Sequence, residues 1–204
     1  ITIIDIAVID SRYFTKDDYR RKRENTFLVA TEADQEILKD TSYYRVFNLD
    51  GQNPQSIFLE ARTSYFHNSI GGYHGVKLRR YQDLYDSCLF KETIEFIQDA
   101  SSGRMDFPKY GIINMLNAKY LVYGGARDNI ILNSAALGNA WFIADVTPVK
   151  SPTDELKSVC TADTRTTAII DESKIKVPAF EFDSARTIKL VDHNPIYLKY
   201  VSQS

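Results

Sequence analysis

The stretch "YGIINMLNAKYLVYGG", residues 110–125, decides the fold that this sequence predicts. Its first half is apolar and far shorter than a bilayer span, which indicates a short buried helix that ends near Asn117. Its second half, "KYLVYG", has the composition of a strand, and Gly124 and Gly125 close it. A buried helix that leads directly into a buried strand predicts one core that contains both kinds of element.

Segments that predict strands alternate with segments that predict helices along the rest of the chain. The strand patterns lie at 1–10, 43–49, 140–149, 166–171 and 186–202. The helix patterns lie at 31–40, 78–89, 91–100 and 151–160. The last strand segment is divided by the turn "DHNP", which indicates a hairpin.

This order predicts an α+β fold, in which a mixed sheet with several short helices precedes the first strands of a truncated β element. We place the α+β domain at residues 1–165 and the start of the β-rich domain at 166–204. Two strands alone are marginal in water, so the final hairpin needs the main core or further strands as partners. Because the sequence does not begin with Met, we expect a piece of a longer protein.

Composition and charge exclude some classes of protein. The 204 residues are 44% hydrophobic and 25% charged, which is typical of a globular protein rather than a disordered one. The formal net charge is −2, and a dedicated nucleic-acid binder would show a basic excess, so we expect no nucleic-acid partner.

The residue types that hold metals are sparse and badly spaced. His67 and His74 lie seven residues apart without an acidic or cysteine companion at ligand spacing. Cys88 and Cys160 have neither metal spacing nor CxxC spacing. We therefore predict no metal and no cofactor. We expect the two cysteines to be buried free thiols, with a disulfide as the alternative in an oxidising compartment.

The glycine-rich stretch "SIGGYHGVKLRRYQDLY", residues 69–85, is the best candidate for a binding site. Glycines let an anion approach the backbone N–H groups before a helix, and the basic residues that follow add positive charge. The candidate anion- or ligand-binding residues are Gly71, Gly72, His74, Lys77, Arg79 and Arg80. The alternative is a tight turn with positive φ, whose basic residues are solvated or paired to Asp83 and Asp86.

Aromatic residues could add sugar recognition to such a site. Tyr73 and Trp141 are candidates to stack on a sugar ring, although burial in the core is the commoner role of a tryptophan. No GxSxG, HExxH, P-loop or dinucleotide fingerprint occurs in the sequence, and no pair of carboxylates has a spacing that assigns acid and base roles. We therefore assign no catalytic residue.

Several stretches together resemble the YfhO family of polytopic bacterial membrane proteins. They occur in the order found in the family and cover most of residues 8–150. The stretches are "VIDSRYF", "TEADQEILKD", "YYRVFNL", "ARTSYFHNSIGGYHGVKLRRYQDL", "INMLNAKYLV" and "ALGNAWFIADV". From residue 161 to the C-terminus only the strand pattern agrees.

This resemblance implies a parent protein with many transmembrane helices, similar to GT-C glycosyltransferases that are thought to use polyprenyl-phosphate-linked sugars. The chain would be a soluble portion on the extracytoplasmic (periplasmic) side of the cell membrane. Its partners would be the transmembrane helices of the parent and a lipid-linked sugar phosphate. The catalytic acid of such enzymes is expected in a loop that this sequence does not contain, so the chain alone would not be an enzyme.

Three functions stay open at this point. The chain could assist transfer of sugar from a polyprenyl-phosphate donor to a cell-envelope acceptor, which predicts a basic pocket near residues 71–80. It could be a structural or partner-binding module without a ligand site of its own, which predicts a flat apolar and aromatic patch. It could be a stand-alone enzyme, which requires His67 or His74 beside a carboxylate in a closed cleft.

Overall fold

The computed structural model describes residues 2–14, 16–18, 29–51, 53–73, 75–177, 185–194 and 196–203. Its helices are α1 (Thr2–Tyr13), α2 (Glu32–Ile37), α3 (Pro54–Ile57), α4 (Thr63–Phe66), α5 (Arg79–Leu84), α6 (Phe90–Ser101), α7 (Gly111–Met115) and α8 (Pro152–Val159). Its strands are β1 (Arg45–Asn48), β2 (Ala118–Val122), β3 (Ile130–Leu132), β4 (Asp145–Val149), β5 (Thr167–Asp171), β6 (Thr187–Asn194) and β7 (Tyr197–Gln203). The fold class is α+β, as predicted.

The central sheet has the order β1-β2-β3 and is mixed, because β1 runs parallel and β3 antiparallel to β2. Phe47 of β1 lies opposite Leu121 of β2, and both side chains are completely buried. The chain at 68–70 follows the free side of β1, where Val46 N donates to Asn68 O and Ile70 N donates to Val46 O. This added segment brings the predicted glycine-rich site to the edge of the sheet.

The turn between α7 and β2 is formed by Asn117, which has a left-handed backbone with φ 57°. Its carbonyl accepts from Arg45 N at 3.0 Å, so the turn is joined to the start of β1. Its side-chain amide donates to Tyr43 O at 3.1 Å and to Asn139 Oδ1 at 2.9 Å. The predicted end of the helix near Asn117 is confirmed, and the same residue aligns the two strands.

The two helices predicted on either side of residue 90 form one continuous helical segment. A π-helical turn (Tyr85–Leu89) joins α5 to α6 and carries the buried residues Cys88 and Leu89. On α6, Glu92 accepts from the N–H groups of Ile112 and Ile113 at 3.1 and 2.7 Å and so caps the first turn of α7. These contacts hold the long segment against the central core.

One strand prediction is wrong and another is correct only in its second half. Residues 2–13 form helix α1, since a run of Ile and Val specifies a strand only where a pleated partner is present. The strand predicted at 140–149 begins only at Asp145 and pairs in parallel with β5. Trp141 precedes it and donates its ring N–H to Thr164 O at 3.0 Å. Among the described residues, no helix is both long and apolar enough to cross a bilayer.

The predicted terminal hairpin is confirmed as the antiparallel pair β6 and β7. One described contact with the remainder of the chain is the edge-to-face pair of Tyr43 and His193, with ring centroids 5.1 Å apart. The pairing of β4 with β5 joins residues on both sides of residue 165, where we predicted a domain boundary. That boundary stays a prediction.

The expectation of two free thiols is wrong, because Cys88 and Cys160 form a disulfide. Their Cα atoms lie 5.4 Å apart, a usual separation for this bond. The bond connects the π-helical turn to the residue that ends α8, although the two cysteines are 72 residues apart in the sequence. Sequence spacing carries no signal for a contact that only tertiary packing creates.

We expect reduction of this disulfide to lower the free energy of unfolding by about 2–4 kcal/mol, because the bond closes a long loop in the unfolded chain. Urea denaturation of the oxidised protein and of the double variant Cys88→Ser/Cys160→Ser measures the difference. The variant treated with reductant serves as the control, since it should show no further loss. Equal stability of oxidised and reduced wild type would contradict this prediction.

Candidate functional site

The glycine-rich segment is a tight turn packed against the end of α3. Gly72 has φ +127° and donates its N–H to Phe58 O at 3.2 Å. A Cβ atom on Gly71 would lie 3.0 Å from Ile57 O, and one on Gly72 would lie 3.2 Å from Ser64 Oγ. Close approach and positive φ therefore explain why glycine occupies these two positions.

A cleft of about 690 Å³ opens beside this turn, and we name it the cationic cleft. Its charged lining residues are Arg45, at the start of β1, and Lys77, just before α5. No carboxylate is present in the lining that the structure describes. Arg45 is half-buried and donates from Nη1 to Leu116 O at 3.4 Å. The cleft thus holds two positive charges without an acidic residue among its described walls.

The predicted site residues divide between the cleft and other surfaces. Gly71, Gly72 and Lys77 line the cleft. Arg79 and Arg80 lie outside its described lining and form ion pairs with Asp83 at 2.9 Å and Glu155 at 2.8 Å. The pair of Arg79 with Asp83 agrees with the alternative interpretation of this stretch, a tight turn whose basic residues are solvated or paired to acidic residues.

Tyr73 and Trp141 are not in the described lining of the cleft either. Tyr73 is an exposed residue of the same turn. Trp141 is half-buried and bonded to the backbone of Thr164. His74 lies outside the described residues.

Sequence reasoning missed Arg45 and Tyr81 as lining residues. Arg45 is part of the strand pattern at 43–49, and nothing local indicates that its side chain meets Lys77 across a cleft. Tyr81 donates its hydroxyl to Ile70 O, and burial raises the pKa of this phenol to about 12. The neutral ring of Tyr81 therefore forms a fixed wall of the cleft.

His67, one of the residues that line the cleft, belongs to a buried polar network centred on Asp34. Its carboxylate accepts from Thr31 N at 2.8 Å, from Arg62 Nη2 at 2.5 Å and from His67 Nε2 at 3.1 Å. Burial disfavours the charged form of Asp34, but the hydrogen bonds from Arg62 and Thr31 outweigh it and lower the pKa of the carboxyl. Burial lowers the pKa of His67 and favours the neutral imidazole.

The His67–Asp34 contact meets one requirement of the stand-alone enzyme, a histidine within hydrogen-bond reach of a carboxylate. However, the side chain of His67 is only 1% exposed, and the Asp34 carboxylate is already bonded to Arg62 and Thr31. Although His67 is among the residues that line the cationic cleft and Asp34 lines a separate cavity of about 180 Å³, their side chains are only 1% and 7% exposed, so the pair supports the fold. Within the described residues, no group of three His, Cys, Asp or Glu side chains could hold a metal ion.

We expect Asp34→Asn to lower the free energy of unfolding by about 2 kcal/mol, because it leaves the partly buried Arg62 without a counter-ion. The matched control is Asp83→Asn, which removes the exposed pair with Arg79 and should cost about 0.5 kcal/mol or less. Urea denaturation of both variants measures the costs. Equal costs would contradict the structural role of the network.

We also expect the stability difference between wild type and Asp34→Asn to depend on pH. The folded-state pKa of Asp34 lies below its unfolded value of about 3.9. The stabilisation of the folded state by the ionised Asp34 carboxylate is therefore present at pH values above that unfolded pKa. It is lost as the pH falls through the folded-state pKa, because the carboxyl is then protonated in both states. The stability difference between wild type and Asp34→Asn should therefore shrink below about pH 4. A constant difference down to pH 2 would contradict this assignment.

We expect Gly72→Ala to lower the free energy of unfolding by about 1–2 kcal/mol, because alanine is strained at this positive φ. Gly75→Ala is the control, since a Cβ atom there meets nothing within 4 Å and should change stability by less than about 0.5 kcal/mol. Thermal or urea denaturation compares the two variants. Equal effects would show that the turn does not require the left-handed conformation at Gly72.

Comparison with known proteins adds no further assignment to this geometry. A scan against protein-family models found no matching family, and searches of curated proteins and of solved structures found no similar protein. The resemblance to the YfhO family therefore remains a hypothesis that rests on the quoted sequence stretches.

Proposed function

We propose that this chain is an extracytoplasmic domain of a YfhO-like membrane protein whose cationic cleft binds the phosphate of a polyprenyl-phosphate-linked sugar. The observation that carries the proposal is the pair Arg45 and Lys77 in a cleft with no carboxylate in its described lining. An arginine can bind two phosphate oxygens at once, and a lysine adds a compact positive charge. Binding would position the donor while the membrane part of the parent transfers the sugar to a cell-envelope acceptor.

The remaining lining suits a sugar phosphate. The cleft volume of about 690 Å³ lies within the usual range for small-ligand sites. Gly71 and Gly72 line the cleft with their N–H groups already bonded to Ser69 Oγ and Phe58 O, while Asn68 and Ser69 place polar groups in its wall. Hydroxyl and amide groups at such positions can bond to sugar hydroxyls.

The surface next to the cleft supports an orientation toward a membrane. Tyr73, Val76 and Leu78 are exposed by 72%, 83% and 80%, and Lys77 lies between two of them in the sequence. Apolar and aromatic side chains beside basic residues favour the interface of a bilayer with anionic headgroups. A lipid-linked donor would present its phosphate at that level.

The disulfide supports the extracytoplasmic location, because such bonds form and persist in oxidising compartments. The transmembrane helices of the parent protein would then be the structural partners of this domain. They would also supply the catalytic acid that the resemblance places outside this sequence.

We expect the folded chain to bind a sugar 1-phosphate saturably, with Lys77→Ala weakening the affinity at least about tenfold because one charged contact is lost. Arg45→Ala should have a similar effect. The control is Arg79→Ala, which removes an exposed arginine that lies outside the described lining and should leave the affinity unchanged. Isothermal titration calorimetry measures the affinities, and circular dichroism checks that each variant is folded.

The absence of saturable binding by the folded wild type would contradict the proposed site. So would an equal loss of affinity in Lys77→Ala and Arg79→Ala, since that would indicate general attraction to positive charge. The structural or partner-binding module would then be the better interpretation. One observation favours it independently: the hairpin of β6 and β7 exposes Val191, Ile196, Leu198 and Val201.

A further inference from the structure

His67 anchors a shallow segment that forms part of the wall of the cationic cleft. Among residues 61–69, which include α4, the buried residues are Thr63 and His67. The side chain of His67 reaches back to α2, where its Nε2 atom lies 3.1 Å from Asp34 Oδ1. A segment with so few buried side chains opens at a lower free energy than the core does. The state of His67 therefore decides much of the stability of this segment.

The hydrogen bonds around the imidazole ring fit only its neutral form. The Asp34 carboxylate also accepts from Thr31 N and from Arg62 Nη2, so Nε2 of His67 must carry a proton to bond to it. The other ring nitrogen, Nδ1, is buried and has no hydrogen-bond partner among the described residues. In the neutral ring Nδ1 is an acceptor, but in the charged ring it is a donor that needs an acceptor. The closed segment supplies none from its described groups.

The charged groups around the ring do not compensate for its burial. Asp34 favours the imidazolium and Arg62 disfavours it, but burial has the largest effect and lowers the pKa of His67 below its usual value of 6.5. The other charged residues that line a cavity together with His67 are Asp40, Arg45 and Lys77. Asp40 is already paired with Lys119 at 2.5 Å, and the other two are positive. None of these three residues therefore favours the charged ring.

A small outward movement would give the charged ring water as a partner. His67 lines the cationic cleft of about 690 Å³ and also a second cavity of about 300 Å³. Its side chain is nevertheless only 1% exposed, so the ring lies just beneath the surface of both cavities. Hydration is cheaper than keeping an unbonded cationic N–H group buried. The neutral ring therefore favours a closed segment, and the charged ring favours an open one.

We propose that His67 is a pH-sensitive switch in the wall of the cationic cleft, and that its protonation opens residues 63–69 away from β1. Opening breaks the hydrogen bond from Val46 N to Asn68 O, which joins this segment to β1 at 2.8 Å. The inference goes beyond the proposed function, because it concerns the fold and holds for any ligand of the cleft.

The direction of the pH dependence follows from the two states of the ring. In the closed state the pKa of His67 lies below the value of about 6.5 that the ring has in an open chain. The open state therefore binds more protons, and its population rises as the pH falls below about 6.5. The rise ends below the closed-state pKa, where the ring is protonated in both states. The closed wall is fully stable only above this range.

The test is backbone amide hydrogen exchange of the ligand-free protein at about pH 7.5 and about pH 5.5, corrected for the intrinsic effect of pH on exchange. The protection factor of the Val46 amide should fall about five- to tenfold between these two pH values. Arg45 provides the internal reference, because its amide donates to Asn117 O on the other edge of β1 at 3.0 Å. At the lower pH, the Val46 amide should be at least about tenfold less protected than the Arg45 amide.

Two variants assign the effect to His67. In His67→Gln the side-chain amide can still donate to Asp34 but does not titrate, so the protection of the Val46 amide should no longer depend on pH. His193→Gln is the matched control, because His193 is an exposed histidine of β6 and its replacement should keep the pH dependence of wild type. If His67→Gln does not fold, an NMR titration of the His67 ring in wild type decides the question, since the switch requires a pKa below about 6.5.

Three results would overturn the inference. The first is equal protection of the Val46 and Arg45 amides at the lower pH, since the opening would then not be confined to the segment. The second is a fall in protection of the Val46 amide that is equal in wild type and in His67→Gln. The third is a pKa of the His67 ring at or above about 6.5. These measurements use no ligand, so their failure is separate from a failure of the proposed sugar-phosphate site.

Discussion

The left-handed backbone of Asn117 is the constraint on which the rest of the structure depends. An L-residue in this conformation costs about 1–2 kcal/mol, although asparagine tolerates it better than most. The turn carries the chain from α7 into β2, and the hydrogen bond to Arg45 N places β1 alongside. Because Arg45 begins β1, the same turn also determines where the guanidinium meets the cationic cleft. The turn at Asn117 therefore affects both the pairing of β1 with β2 and the position of Arg45 in the cleft.

The stretches that carry the family resemblance contact one another in the fold. Asp34 pairs with Arg62, and Asn117 bonds to Asn139. Each contact joins two different stretches, and these side chains need partners because they are largely removed from water. Packing therefore accounts for these four residues. In contrast, Lys77 lines the cationic cleft, whose described lining contains no carboxylate.

Local signals in the sequence predicted much of the fold and part of the site. Thr31 and Asp34 form the capping box of α2, and Ser151 caps α8, because capping depends on residues three positions apart. Gly71 and Gly72 form the tight turn that the glycine-rich pattern predicts, and their role in binding stays a prediction. The strand predicted at residues 1–10 failed because β-branched residues need a partner strand, and composition alone cannot provide one.

The sequence by itself determined the α+β class, the helix that ends near Asn117, the hairpin and the glycine-rich turn, because each is specified by neighbouring residues. Only the tertiary structure decided that Cys88 bonds to Cys160 and that Arg80 pairs with Glu155, 75 residues away. Only the tertiary structure placed Arg45 in the same cleft as Lys77. The physical reason is that these partners meet through the packing of whole elements, and no local periodicity encodes which elements will pack together.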